Sequence, residues 1–75
     1  MTFETVRDTL ATMFKLDPET ITMETNLIDD IGADSLDIVE LIMALEDNFG
    51  ISISDEDAAN LVTVRKICDY LDNIN

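Results

Sequence analysis

Apolar residues recur at steps of three and four along three stretches of this 75-residue chain, and that spacing leaves little to build with except helices. Phe3, Val6, Leu10, Met13 and Phe14 make one stripe. Ile38, Leu41, Ile42, Leu45 and Phe49 make a second, and Val64, Ile67, Cys68, Leu71 and Ile74 a third. Breakers and caps separate them. Thr2 predicts a cap for a helix over 3–15, which Pro18 prevents from continuing. Asp34 or Ser35 caps a second helix over 35–49, with Gly50 just past its end. Ser54-Asp55-Glu56-Asp57 has the form of a capping box and opens a short helix to about Asn60, and Thr63 caps the last helix. Between the first two helices, residues 16–34 form a long connection anchored by Ile21, Leu27, Ile28 and Ile31, and connections of that length are often functional. The expected architecture is all-α: a small bundle of three main helices plus one short helix, with a long loop between the first and second helices. It forms one domain over residues 1–75.

Charge narrows the function. Seventeen acidic and four basic side chains give a formal net charge of −13. Such a surface repels phosphate backbones and anionic lipid heads, which argues against nucleic acid and for partners with basic patches. No apolar run approaches the roughly 20 residues of a membrane span, and no export leader is expected. One cysteine, Cys68, supports neither a disulfide framework nor a Cys-based zinc site, and the chain reads as cytoplasmic and monomeric. Cys68 itself belongs to a core stripe, as a small buried hydrophobe.

The chain has no histidine. It therefore lacks the usual general base near neutral pH and the commonest metal ligand, and no Ser-His or Cys-His nucleophile can be assembled. Only Lys15 and Lys66 offer amines. The chain is not expected to be an enzyme.

The second helix is apolar on two sides. At about 100° per residue, its core stripe fills one sector, while Leu36, Val39 and Met43 fall opposite, interleaved with Glu40, Glu46 and Asp47. One helix of a small bundle cannot bury both faces. An apolar strip rimmed by carboxylates suits docking on a basic, partly apolar groove: the charges speed association and the strip prolongs it.

Gly32-Ala33-Asp34-Ser35-Leu36 lies where the long loop meets this helix. A serine in a helix's first turn is exposed and reachable by another protein, and Gly32 is expected to let the loop backbone approach closely. A phosphate ester there would meet the positive end of the helix dipole. Asp29, Asp30, Asp34 and Asp37 would repel a free phosphate, so an anion at this place must be held covalently.

Within Gly-Ala-Asp-Ser-Leu-Asp-Ile-Val-Glu-Leu-Ile-Met-Ala-Leu-Glu, the Asp34-Ser35-Leu36 motif resembles the signature of the acyl carrier proteins, most closely the free-standing bacterial carriers of fatty acid synthesis. The similarity extends over nearly the whole chain. It implies that Ser35 carries 4'-phosphopantetheine, transferred from coenzyme A by a holo-carrier-protein synthase, and that growing acyl chains ride on its thiol as thioesters. It implies that Asp34 helps present the serine and bind the transferase's magnesium. Leu36, Asp37, Val39, Glu40, Met43, Glu46 and Asp47 match the face that meets fatty acid synthesis and acyltransferase enzymes. Ser54, where these proteins often have proline, and Ala59 and Val62, less polar than usual, are the departures.

If the thiol belongs to a prosthetic group, the missing histidine is accounted for. An apolar chain exposed to water costs about 0.8 kcal/mol per methylene, so cargo should be hidden. The expected place is between the second helix and the short one, lined by Ile38, Ile42, Leu45, Ala58, Ala59 and Leu61. Two other classes compete. An EF-hand starting at Asp29 would put Glu40 at its twelfth position, but Ile31 and Ala33 take the third and fifth places and Gly32 comes two places early. An acidic helical adaptor or loose divalent-ion binder would share the docking helix but leaves Asp34-Ser35-Leu36 without a purpose. A discrete polyketide or peptidyl carrier is the nearest alternative.

Overall fold

A computed structural model describes residues 2–74. Four helices follow the sequence pattern: α1 (Thr2–Phe14), α2 (Ser35–Phe49), α3 (Asp55–Ala58) and α4 (Val64–Ile74), with a single 3-10 turn at Pro18–Thr20. α1 packs against both α2 and α4. Val6, Leu10, Leu41, Leu45, Val64 and Ile67 meet in the centre with no exposed surface, and Leu71 joins them. Truncating any such leucine to alanine costs about 2–5 kcal/mol, a large share of what a domain this small can hold.

Local chemistry fixes each helix end. Asp34 is the cap of α2 and Gly50 closes it at φ 65, a left-handed turn that glycine adopts without strain. Ser54 caps α3 by accepting the Asp57 amide at 3.1 Å. The return half of a capping box is replaced, because the Asp57 carboxylate accepts the Tyr70 hydroxyl at 2.9 Å. α3 ends at Ala58, shorter than the expected Asn60. Thr63 caps α4, accepting the Lys66 amide at 3.2 Å. Thr2 lies inside α1 rather than capping it, and its hydroxyl donates to Asp72 at 2.6 Å, joining the first helix to the last.

The long connection is pinned by backbone hydrogen bonds with Val62 and with the first turn of α4. Leu27 donates to Val62 at 2.8 Å, Val64 to Thr25 at 3.0 Å and Arg65 to Met23 at 2.9 Å. Ile21 and Leu27 bury themselves as anchors and Ile31 does so in part. Ile28 does not: it stays 53% exposed, because the turn at 26–30 points it away from the core. Ile74 is likewise exposed, at the last position of α4. Cys68 is buried in the core, where desolvation first, then Asp72 and Asp69, push its thiol pKa up.

Candidate functional site

The approach to α2 is built from short polar side chains. Asn26 accepts the amides of Ile28 and Asp29 on its side-chain oxygen, while Asp30 accepts the amide of Asn26. Gly32 then turns the chain at φ 79, and Ala33 tucks inward with its amide donating to Leu27. A side chain at Gly32 would meet open space, so glycine serves the left-handed turn and not, as expected, a close backbone approach.

Asp34 and Asp37 complete the cap. Asp34 Oδ1 accepts the Asp37 amide at 2.9 Å, and Asp37 Oδ2 accepts the Asp34 amide at 3.1 Å. Ser35 is thereby the first helical residue and not the cap. Its side chain is exposed, and among the described residues no hydrogen bond engages its hydroxyl. The Ser35 and Leu36 amides, in the first turn, have no intrahelical acceptor.

Beside Ser35 a cleft of about 470 Å³ opens between α2 and α3, lined by Ile28, Ser35, Ile38, Val39, Asp55, Ala58, Ala59 and Val62. A second hollow of about 280 Å³ continues along α2, lined by Ile38, Val39, Ile42, Met43, Glu46, Ile53, Asp55 and Ala58. Of the six residues expected to line an acyl gap, Ile38, Ile42, Ala58 and Ala59 do so. Leu45 and Leu61 do not; they lie buried in the closed core. Ile28 and Val62 complete the wall, and only the folded loop brings them to Ser35.

The outer face of α2 exposes Leu36 at 66%, Val39 at 54% and Met43 at 58%. Glu40 and Asp47 are exposed beside them. Asp37 and Glu46 differ: both are half-buried and both carboxylates hold backbone amides, Asp37 that of Asp34 and Glu46 that of Ile53 at 2.7 Å. The periodicity that revealed the face could not separate free carboxylates from engaged ones.

An uncommitted hydroxyl heads a helix with an acid-rimmed apolar face, an arrangement suited to carrying a covalently attached group. Residues 4–71 match the family described as "Phosphopantetheine attachment site". An acyl carrier protein of Campylobacter hominis is 42% identical over 97% of this chain and 92% of its own. Among solved structures, the acyl carrier protein of Enterococcus faecalis superposes with a TM-score of 0.85 at 34% identity, over 99% of this chain and 94% of that one. A Mycobacterium tuberculosis structure assigned as an acyl carrier protein gives 0.92 at 35% identity, over the whole of both chains. The chain belongs to the phosphopantetheine-attachment family and, within it, to the acyl carrier proteins.

It is a carrier of acyl groups for fatty acid synthesis, not an enzyme, and its cofactor is covalent 4'-phosphopantetheine. Such a carrier acts through the synthase and the fatty acid enzymes it meets. That role displaces the adaptor and ion-binding readings. Among the described residues no helix is long and apolar enough to cross a membrane. The site suits the cofactor: a free, exposed hydroxyl for the ester, unpaired helix amides beside it, and an adjoining apolar cleft. When attached, the group supplies a thiol on a flexible arm, on which acyl groups ride as thioesters.

Proposed function

We propose that Ser35 bears the 4'-phosphopantetheine and that the carrier presents growing fatty acyl chains from it. The observation that supports this most directly is the reciprocal Asp34–Asp37 cap, which leaves the neighbouring hydroxyl exposed and without a partner. Asp34 presents the serine by capping the helix in its place. Ser35 Oγ attacks the coenzyme A phosphorus that bears the pantetheine and gives its proton to a base of the transferase, while the pyrophosphate bond breaks and adenosine 3',5'-bisphosphate leaves. Intact-mass measurement before and after incubation with coenzyme A and a holo-carrier-protein synthase tests this. A gain of the group's mass on wild type, and none on Ser35→Ala, is the expected result.

The outer face of α2 is the docking surface for enzymes bearing a basic, partly apolar patch. Leu36, Val39 and Met43 supply contact, Glu40 and Asp47 supply steering, and Asp37 and Glu46 lie on the same face with their carboxylates engaged. Charge complementarity selects this occupant. The carrier is read as a cytoplasmic monomer.

The cleft beside Ser35 shelters the acyl chain. Ile38, Ile42, Ala58 and Ala59 line it together with Ile28 and Val62, and parting α3 from α2 extends it toward Leu45 and Leu61. Four residues of helix cost little to move. Thermal midpoints of unacylated, short-chain and longer-chain forms should rise with chain length. A flat series with methyl shifts confined to Leu36 and Met43 would indicate a surface-borne cargo instead.

A further inference from the structure

Among the described residues sulfur occurs at four positions, and only one of them lies in the open. Met13 and Met23 are half-buried and packed against the core. Cys68 is buried, with its thiol pKa pushed up by desolvation first, so it offers little thiolate to an oxidant. Met43 is 58% exposed. It stands in the middle of the outer face of α2, with Val39 and Glu40 one turn before it and Glu46 and Asp47 one turn after. Exposure decides which sulfur an oxidant reaches, and the three carboxylates around this thioether turn anions away. A neutral hydroperoxide is the oxidant that fits the place.

We propose that Met43 is a reversible oxidation site, and that its sulfoxide weakens docking while leaving the fold intact. The sulfur lone pair attacks the terminal oxygen of a hydroperoxide, and an S–O bond forms as the O–O bond breaks. The proton of the attacked hydroxyl passes to the departing oxygen, which leaves as water or an alcohol. Sulfur is oxidised by two electrons and the peroxide is reduced by two. In the free carrier the added oxygen is hydrated, because the residue is exposed, so stability changes little. Against a docked partner that oxygen is taken out of water at the centre of the strip formed by Leu36, Val39 and Met43, where a polar group without a matching donor costs affinity. A sulfoxide reductase drawing on a dithiol reverses the change: the oxygen leaves as water and the dithiol becomes a disulfide. The switch rests on the docking surface proposed above, and it leaves Ser35 and every carboxylate unchanged.

Treating the full chain with hydrogen peroxide and following its dissociation from a phosphopantetheinyl transferase in stopped flow tests the site. Fragment-ion mass spectrometry should place the added oxygen on Met43 ahead of Met13 and Met23. The sulfoxide form should dissociate about tenfold faster, the effect of desolvating one unpaired polar oxygen. Its thermal midpoint should stay near that of untreated carrier, and the reductase with a dithiol should restore the slow rate. Met43→Leu keeps apolar contact without sulfur, and should dissociate at one slow rate before and after treatment. Oxygen on Met13 or Met23 ahead of Met43 overturns the proposal, as does a midpoint that falls when Met43 is oxidised. An unchanged dissociation rate for the sulfoxide overturns it too, and Met43→Ala then separates the two failures. Faster dissociation of Met43→Ala leaves docking standing without the switch, whereas an unaltered rate removes the docking reading and the switch with it.

Discussion

The carboxylates of Asp34 and Asp37 cap each other's backbone amides at 2.9 and 3.1 Å, and Ser35, which sits between them in sequence, contributes nothing to the cap. A serine freed from structural duty can be modified without unravelling its helix. Ser35→Ala should therefore abolish phosphopantetheine incorporation while shifting the thermal midpoint little. Asp34→Ala should cost about 1 kcal/mol through the lost cap. Ser54→Ala should lose stability at α3 and still gain the group's mass. Mass spectrometry and thermal melts on the three variants check each expectation.

Just past the end of α1, Lys15 takes φ 56, a left-handed conformation unusual for a side-chain-bearing residue, with the Leu16 amide closing on the Ala11 carbonyl at 2.9 Å. That conformation costs roughly 1–2 kcal/mol for an ordinary residue, and glycine's looser unfolded chain returns about half of the gain. Lys15→Gly should stabilise the fold by up to about 1 kcal/mol. The change also takes the net charge from −13 to −14, one cation fewer among four, so melts belong at moderate salt. A lower midpoint for Lys15→Gly at that salt would contradict the expectation.

Glu40 and Asp47 are exposed, and on the proposed docking reading they attract partners at long range. Changing either to lysine should slow association with a phosphopantetheinyl transferase in stopped flow, and added salt should slow the wild type. Dissociation should respond instead to Met43→Ala or Val39→Ala, which remove apolar contact with the docked partner.

The hydrogen bond to Asp57, then desolvation, then the Asp57 charge raise the Tyr70 pKa above the ordinary 10.0. A raised value means that the protonated phenol favours the fold. Its contribution is fully present below pH 10.0 and is lost as pH rises through the folded value. Wild type should lose midpoint in that alkaline window more steeply than Tyr70→Phe. An ultraviolet titration of the lone tyrosine in Asp57→Asn should move back toward the ordinary value.

Among the described residues two ion pairs appear, half-buried Arg7 with exposed Asp8, and Arg65 with Glu24, both exposed. They cannot offset seventeen acidic groups. Raising sodium chloride from low to moderate concentration should raise the thermal midpoint, which an uncharged osmolyte at matched osmolality should not reproduce through screening.

The sequence by itself determined the helices, their order and the two-faced character of α2, because apolar spacing and cap residues act within a few positions of one another. Asp34-Ser35-Leu36 marked the candidate site through its resemblance to the acyl carrier signature. Tertiary structure alone decided which polar groups were free. The sequence left Asp34 and Ser35 equal as caps, and the Asp37 return bond settled it. It put Glu46 among the steering charges, whereas folding bends Ile53 back onto its carboxylate. It counted Ile28 as a core anchor and Leu45 and Leu61 as cleft walls, and the pinned loop exchanged those places. Periodicity reports which face of a helix a residue occupies. What lies against that face depends on chain brought in from far along the sequence, and only the packed bundle specifies it.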